Sequence, residues 1–254
     1  MKIIITITIY FFLIYSNSLS QQVWTQLNSG TTRLLYKVAI IDANTAVVVG
    51  QTGTIIKTID GGQNWTIQTS NVPHSLQAVY FANSNIGFVV GMGGTVLKTI
   101  DGGQNWTHPM TAPVDILGGL SFVNANVGTI VGENGYVART IDGGTTCIQQ
   151  NSGSTKTIYS VCFTDANTGT LVTEGGEIIR TINGGLNWVK QTSGTTNFLR
   201  GVFFSDANTG TAVGQSGTIL RTTNGGQNWI AQNSGTTNWL REEGFTLQTQ
   251  IMVQ

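Results

Sequence analysis

Charged residues are scarce in this chain. Only 9% of its 254 residues are charged, and the 12 Lys and Arg balance the 12 Asp and Glu, so the formal net charge is zero. Binding to nucleic acid depends on clustered Lys and Arg that contact phosphates. The composition therefore argues against a nucleic-acid partner.

Long hydrophobic runs are also few. The one extended run, Ile3–Tyr15, follows Lys2 and precedes a small polar stretch that ends at Ser20. A helix needs ~20 apolar residues to cross a bilayer, so this run is short for a membrane anchor and is typical of a secretory signal peptide. We expect residues 1–20 to be a signal peptide cleaved near Ser20. The mature protein would then be a bacterial secreted, periplasmic or cell-surface protein with no later membrane span.

Glycine is abundant, with 33 residues, while there are only 3 prolines. Together with many Thr, Asn, Ser, Val and Ile residues, this composition favours many short strands joined by tight turns.

A repeat of 41 residues organises these strands. Stepping back by one period from Trp65 leads to Trp24, so the register begins directly after the expected signal peptide. A fixed period of this size indicates a solenoid or a propeller. The five ungapped copies are Thr58-Ile-Asp-Gly-Gly-Gln-Asn-Trp65, Thr99-Ile-Asp-Gly-Gly-Gln-Asn-Trp106, Thr140-Ile-Asp-Gly-Gly-Thr-Thr-Cys147, Thr181-Ile-Asn-Gly-Gly-Leu-Asn-Trp188 and Thr222-Thr-Asn-Gly-Gly-Gln-Asn-Trp229.

Each period predicts four strands. In the clearest copy these are Phe198–Phe204, Thr211–Gly214, Thr218–Thr222 and Trp229–Gln232. Four short strands in about 40–45 residues make a propeller blade, whereas β-helix coils are shorter and a leucine-rich horseshoe needs a Leu ladder that is absent. We predict an all-β propeller over residues 21–241, with five full blades and incomplete first and last pieces.

The repeated turn has a structural explanation. Its Asp accepts hydrogen bonds from backbone N–H groups, its glycines adopt positive φ, and its Trp covers the hairpin and is expected to pack against the next blade. Asn can replace Asp as the acceptor, which favours a turn-stabilising role over catalysis. The structural residues are Asp60, Trp65, Asp101, Trp106, Asp142, Asn183, Trp188, Asn224 and Trp229.

The turn resembles the Asp-box repeat of bacterial neuraminidases, S/T-x-D-x-G-x-T/N-W. The longer unit, L-x-x-V-x-F-x-D-x-N-x-G-x-x-V-G-x-x-G-x-I-L-x-T-x-D-G-G-x-x-W, is similar to the repeat of the photosystem II assembly and stability factor family over Gln22 to about Gln232. That family's members in cyanobacteria and plastids are lumenal factors that bind a photosystem II core subunit. The resemblance implies a propeller and a general protein-binding role, with no cofactor.

The last repeat breaks off. Residues 233–241 begin it faithfully, but residues 242–254 do not continue the pattern. The possible codons of Gly244–Gln254, read in the neighbouring frame, allow V-Y-F-T-D-A-N-N-G-T, which matches Val202–Thr211 closely. We therefore interpret residues 242–254 as a frameshifted tail that truncates the protein, either naturally or through a sequencing error.

A basic residue recurs on the third strand of every repeat. One interpretation is a cationic ring that binds an acidic partner segment. In the other, which we favour, each side chain packs between blades and its head group bonds a nearby loop. These candidate partner-binding residues are Lys57, Lys98, Arg139, Arg180 and Arg221.

Catalytic patterns are weak. His74 and His108 occupy non-equivalent positions with no carboxylate or Cys at metal-ligand spacing, and the acids outside the Asp-boxes do not form the carboxylate pair that glycosidases need. Cys147 and Cys162 lie on different strands of different repeats, so we expect unpaired thiols although export would permit a disulfide.

The residues therefore favour an exported, non-catalytic propeller that binds a protein or serves as a module of a larger surface protein. A glycan-binding or sialidase-like propeller is the alternative, and a fragment of a decayed gene is a third possibility. Several arginines and carboxylates in a deep central pocket would favour the glycan hypothesis. A pore lined by Thr, Ser and apolar residues would favour protein binding.

Overall fold

The computed structural model of the chain describes residues 27–241. The expected signal peptide, the strand predicted around Trp24 and the tail 242–254 lie outside the described residues. Within them, no helix is long and apolar enough to cross a membrane.

The described chain forms five antiparallel sheets of four strands, and each sheet is a meander in chain order. The first three sheets contain β1 Leu35–Ile40, β2 Ala46–Gly50, β3 Ile55–Thr58 and β4 Thr66–Gln68; β5 Leu76–Phe81, β6 Gly87–Gly91, β7 Thr95–Thr99 and β8 Thr107–Thr111; and β9 Leu117–Phe122, β10 Gly128–Gly132, β11 Tyr136–Thr140 and β12 Ile148–Asn151.

The last two sheets contain β13 Ile158–Phe163, β14 Gly169–Thr173, β15 Ile178–Thr181 and β16 Val189–Gln191; and β17 Leu199–Phe204, β18 Gly210–Gly214, β19 Ile219–Thr222 and β20 Ile230–Gln232. Four single-turn 3₁₀ helices join second strands to third strands, at Gln51–Gly53, Glu133–Gly135, Glu174–Gly176 and Gln215–Gly217. The first strands β1, β5, β9, β13 and β17 contact one another in sequence and surround the central axis. The predicted all-β propeller with five full blades is confirmed, and the predicted strand bounds of the fifth repeat hold to within one residue.

Glycine is required where each second strand turns into the third. Gly135 has a φ of +70°, and a Cβ added there would collide with the backbone oxygen of Ser154 in the segment leading to the next sheet. Its N–H donates to the Lys156 oxygen of the same segment at 2.9 Å. This turn therefore joins one sheet to the next through backbone atoms, which leaves no room for a side chain.

The apolar side chains are buried at the contacts between neighbouring sheets. Each sheet has a forward face, toward the next sheet in the chain, and a backward face, toward the preceding one. In the contact between the fourth and fifth sheets, Val172 and Ile178 on the forward face pack against Leu199, Val202 and Leu220 on the backward face. Side chains of a strand alternate between the two faces, so every inner sheet is apolar on both sides.

The Asp-box tryptophans pack against the preceding sheet, and the expectation that they face the next sheet was wrong. Trp229 belongs to the cluster formed with the fourth sheet, and its indole N–H donates to Gln191 of that sheet at 3.2 Å. The reason is that Trp229 lies on the backward face, edge-on to Phe204 of the same sheet with ring centroids 5.9 Å apart.

The five sheets follow one another around the axis, and each first strand contacts the next one. Among the described strands, no contact of similar extent joins the fifth sheet to the first. The outer faces of these two sheets therefore lack the neighbour that covers the equivalent face of every other sheet.

Because the fourth sheet is covered on its forward face and the fifth, among the described strands, is not, the same substitution should change the free energy of unfolding by different amounts at equivalent positions of the two sheets. Val172→Thr puts a hydroxyl into the fully buried contact between the fourth and fifth sheets, and we expect it to lower the free energy of unfolding by about 1–2 kcal/mol. The matched variant Val213→Thr lies at the half-buried position of the fifth sheet and should cost less than about 0.5 kcal/mol. Urea denaturation measures both, and equal losses would contradict the assigned burial.

Candidate functional site

A large concave feature of the described chain is a channel along the propeller axis. It has a volume of about 1290 Å³ and is lined by residues from the first strands of all five sheets, together with Arg241. Aromatic, aliphatic and hydroxyl side chains dominate its wall, including Tyr80, Ser121 and Phe203. A cavity shared by all blades is a usual place for a propeller to bind a ligand.

One ring of side chains at the channel mouth comes from β-bulges. In every sheet the register between the first and second strands shifts at the second residue of the first strand. Bulges re-aim side chains and are common next to functional sites. The residues of this mouth ring line the channel at a spacing of one repeat, and they are Tyr36, Gln77, Gly118, Tyr159, Arg200 and, one period later, Arg241.

Arg200 is held in the mouth ring by aromatic rings. Its guanidinium carbon lies 3.8 Å from the ring centroid of Tyr159 and 5.4 Å from that of Trp239. Its Nε is buried without a hydrogen-bond partner in the described part of the chain. Burial raises the pKa of Tyr159, and the charge of Arg200 opposes that rise. Since π faces stabilise a cation but do not use up its N–H donors, this arginine can still donate to a ligand.

The five basic residues predicted as a cationic ring lie on the third strands, as the register requires. Arg180 donates to Thr170 of its own sheet at 2.9 Å and to the backbone oxygen of Ala207 in the fifth sheet at 2.6 Å, and it covers the ring of Phe204 at 5.1 Å. Burial lowers the pKa of Arg180. This side chain therefore joins two sheets.

Two other members of the set, Arg139 and Lys98, make the same kind of contact. Arg139 donates to Thr129 and to the oxygen of Ala166 in the next sheet, and Lys98 donates to Gly143 in the next sheet at 2.7 Å. Lys57 approaches Gly102 of the next sheet. Arg221, in the fifth sheet, is exposed and bonds Thr211 of its own sheet. This geometry favours the inter-blade interpretation, and partner binding by these five residues stays a prediction.

The Asp-box turns are held by a repeated set of hydrogen bonds. In the first, the Asp60 carboxylate accepts from the Thr58 hydroxyl at 2.8 Å, from the Asn64 backbone N–H at 2.9 Å and from the Asn64 amide at 2.8 Å. The Thr58 hydroxyl in turn accepts from Gly62 N–H at 2.9 Å. All three of these hydrogen bonds to the carboxylate come from its own loop.

The other boxes repeat this arrangement. Asp101 accepts the equivalent bonds from Thr99 and Asn105, and Asp142 accepts from the Thr140 hydroxyl and from the backbone N–H and the hydroxyl of Thr146. Hydrogen bonding to the charged form lowers the pKa of all three aspartates to about 2. Asn183 and Asn224 accept the threonine hydroxyl at 3.0 Å and a loop N–H at 2.9 and 3.0 Å through Oδ1. The contacts agree with a structural role for these residues.

Carboxylates elsewhere are similarly occupied. Asp165 and Asp206, at the far end of the channel, accept backbone N–H groups of their own turns. Glu177 pairs with Lys190 at 2.6 Å. His108 lies on an outer strand, beside Thr111, and His74 lies against Gly93. No group of three or more His, Cys, Asp or Glu side chains in residues 27–241 could hold a metal ion.

Sequence reasoning missed the mouth ring. The signal was present in the register, because position 2 of the first strand changes from Tyr to Gln, Gly, Tyr and Arg while position 1 stays Leu or Ile. A strict alternation of side chains along the strand does not predict that these residues face the channel, because the bulge at this position interrupts the period of two.

Residues 16–115 and 148–233 match the model of the family described as photosynthesis system II assembly factor YCF48, which is well over half of the chain. No curated protein matches the chain significantly.

Three solved structures are similar to it. YCF48 from Cyanidioschyzon merolae has a TM-score of 0.52 and 17% identity, covering 89% of this chain and 94% of that one. YCF48 bound to D1 peptide has a TM-score of 0.47 and 19% identity, covering 82% and 83%. The GH74 xyloglucanase from Xanthomonas campestris has a TM-score of 0.67 and 10% identity, covering 82% of this chain and 40% of that enzyme. The first and third similarities support the fold alone, and nothing rests on the second.

The Asp-box bonds predict how stability changes with acid. A lowered pKa means that the three carboxylates stabilise the fold above their unfolded value of 3.8, and that this contribution is lost as the pH falls toward about 2. The triple variant D60N, D101N, D142N, which copies the Asn of boxes four and five, should therefore lose less thermal stability between about pH 5 and pH 2 than the parent. An unchanged acid-induced fall in Tm would contradict this, and D115N outside the boxes is the control.

The contacts of the third-strand cations with the next sheet predict a second difference in stability between equivalent positions of the fourth and fifth sheets. Arg180→Ala removes the bond to Ala207 and the cover over Phe204, and should lower the free energy of unfolding by about 1–2 kcal/mol. Arg221→Ala, at the equivalent position of the fifth sheet, should cost less than about 0.5 kcal/mol. Chemical denaturation distinguishes them, and an equal or larger loss for Arg221→Ala would be incompatible with the inter-blade role.

Proposed function

The chain belongs to the photosynthesis system II assembly factor YCF48 family, and on that premise we propose that it is an exported, non-catalytic propeller that binds a protein partner as an assembly or scaffold module. The partner segment would bind at the mouth of the axial channel. Export rests on the N-terminal sequence, where a charged residue, a short apolar run and small residues up to Ser20 are typical of a signal peptide.

The observation that carries the proposal is the environment of Arg200. Its guanidinium lies against the rings of Tyr159 and Trp239 and faces no carboxylate partner among the ion pairs of the described residues. A fixed planar cation with free N–H groups, set beside aromatic rings, suits backbone carbonyls, carboxylates and apolar side chains together. A polypeptide segment presents all three.

The wall of the channel supports binding over hydrolysis. Hydrolysis of a glycosidic bond needs two carboxyl groups placed on either side of it, about 5–10 Å apart. Asp42, Asp165 and Asp206 line the channel and already accept the N–H groups of their turns, and hydrogen bonds to their charged forms contribute to a lowered pKa. None of the three is suited to act as a general acid, which needs a raised pKa.

The glycan hypothesis keeps one observation in its favour. The aromatic rings of Tyr36 and Tyr159 line the mouth ring, and such rings can stack on sugars as well as on peptide side chains. The similar GH74 structure is described as a xyloglucanase, which makes xyloglucan oligosaccharides the appropriate competitor ligand.

The test compares two arginine variants on two arrays. The full chain and its Arg200→Gln and Arg221→Gln variants are applied to an array of extended peptides and to a glycan array that includes xyloglucan oligosaccharides. We expect binding to a subset of peptides, a loss of about tenfold or more in affinity in Arg200→Gln, since removing a hydrogen bond to a charged group costs about 1.5–3 kcal/mol, and little change in Arg221→Gln.

Two outcomes would contradict the proposal. Binding to glycans without binding to peptides would support the alternative function. Peptide binding that is lost in Arg221→Gln but kept in Arg200→Gln would move the site from the channel mouth to the third-strand cations. Circular dichroism of both variants confirms that a loss of binding does not come from unfolding.

A further inference from the structure

The first residue of the turn that joins the second strand to the third is apolar in one sheet. The five repeats place Gln, Met, Glu, Glu and Gln at this position, and Met92 is the apolar residue. In three other sheets the side chain there accepts a backbone N–H just ahead of the first strand, in the pairs Glu133–Asp115 at 2.6 Å, Glu174–Thr157 at 3.3 Å and Gln215–Phe198 at 3.3 Å. A thioether is at most a weak acceptor, so Met92 does not have the role that explains the residue in those sheets.

Met92 lies at the channel instead. It is 40% exposed and lines the channel, whereas its four equivalents, all within the described residues, do not line it. Its backbone forms a single antiparallel bridge with Ile116, which comes just before the first strand of the third sheet and lines the channel as well. Side chains of directly opposed residues in an antiparallel pair are close neighbours. Met92 and Ile116 therefore form one apolar part of the channel wall.

The mouth ring has no side chain beside this pair. Gly118 is the member of the ring that lacks one, and a Cβ added to it would lie 2.7 Å from the backbone oxygen of Ile158 in the fourth sheet. A Cβ on Gly119 would lie 2.9 Å from the oxygen of Tyr159. The first strands of the third and fourth sheets approach closely at these two glycines, so the wall next to Met92 is bare backbone.

The chemistry of this part of the wall suits an apolar side chain. Methionine is unbranched and polarizable, and it is over-used at binding surfaces because it adapts to irregular partners. Neither Met92 nor Ile116 has a strong hydrogen-bonding group in its side chain. A sugar hydroxyl packed against them would lose hydrogen bonds to water, which is costly, whereas an aliphatic side chain of a polypeptide would not.

The apolar wall and Arg200 belong to the same channel. Met92 and Ile116 come from the second and third sheets, and Arg200 comes from the fifth. Tyr159 of the fourth sheet lies between them in the order of the sheets and contacts the Arg200 guanidinium. A polypeptide segment that lies across the mouth can therefore place a carbonyl or carboxylate oxygen at Arg200 and a side chain at Met92.

We infer that Met92, Ile116 and Gly118 form an apolar subsite at the channel mouth for one apolar side chain of the bound polypeptide segment. This inference rests on the proposed function, because its occupant belongs to the segment that binds at Arg200. Arg200 binds oxygen atoms that every polypeptide presents. Met92 is the specificity-determining residue, since it selects segments that carry an apolar residue at one position.

The subsite can be tested without a known partner, by NMR of the full chain labelled with ¹³C at the methionine methyl groups. The probes are N-acetyl-leucinamide and N-acetylglycinamide, which share their amide groups and differ in the side chain. We expect the leucine probe to shift the Met92 resonance and the glycine probe to leave it in place. The Met92 resonance is the one absent from Met92→Gln, and the resonance of the partly buried Met110 is the internal reference.

A second test uses a peptide that the chain binds, varied one position at a time to leucine and to glycine. At one position we expect leucine to bind more tightly than glycine. Met92→Gln should lower the affinity for the leucine peptide about tenfold and change that for the glycine peptide less than about twofold, because it removes apolar contact area. Ile116→Thr should act in the same direction.

Both variants copy residues that the chain already has at the equivalent positions of other repeats, namely Gln51 and Gln215 for Met92 and Thr157 for Ile116. We therefore expect both to fold, and circular dichroism checks this. Gln51→Met places a methionine at the equivalent turn of the first sheet, outside the channel lining. This control should leave the preference for leucine over glycine unchanged.

Two results would overturn the inference. One is a Met92 resonance that responds equally to both probes or to neither. The other is a preference for leucine that persists in Met92→Gln and in Ile116→Thr; if Arg200→Gln still weakens binding, the proposed function then stands without this subsite. Conversely, a Met92 resonance that responds to the leucine probe in a chain that binds no peptide supports the subsite and contradicts the proposed function.

Discussion

Each sheet of this protein depends on its neighbours for burial, and the rest of the structure follows from that constraint. A four-stranded meander has two faces and no interior of its own, so its apolar side chains leave water only where another sheet covers them. Val172 and Ile178 illustrate this, because their exposure is set by the fifth sheet and not by their own. Stability in such an array is a sum over interfaces.

The constraint also divides the repeat into positions that must stay constant and positions that can vary. The Thr and Asp of each Asp-box close a turn. The second glycine of the box leaves room for a side chain of the neighbouring sheet. The cation on the third strand donates a hydrogen bond to the next sheet. The second residue of the first strand does none of these things. It is turned into the channel by a bulge, so its side chain is available for recognition, as Arg200 and Tyr159 show.

The period, the four strands and the structural role of the box could be predicted from the sequence, since they depend on local turn chemistry and alternation within one repeat. The direction in which Trp229 packs could not be predicted from the sequence. Strand alternation places Trp229 on one face of its sheet but does not say whether that face contacts the preceding or the next sheet. The mouth ring was missed for a related reason: a bulge at Arg200 changes which side chains face the axis, and its presence depends on pairing with the second strand.

The central claim is that burial between neighbouring sheets holds the propeller together, and hydrogen–deuterium exchange along the chain tests it most directly. The account predicts the strongest protection in the first and second strands of the second, third and fourth sheets, which have neighbours on both sides, and weaker protection in the first and fifth sheets. Equal protection across all five sheets would contradict it, because each sheet would then be stable without regard to what covers it.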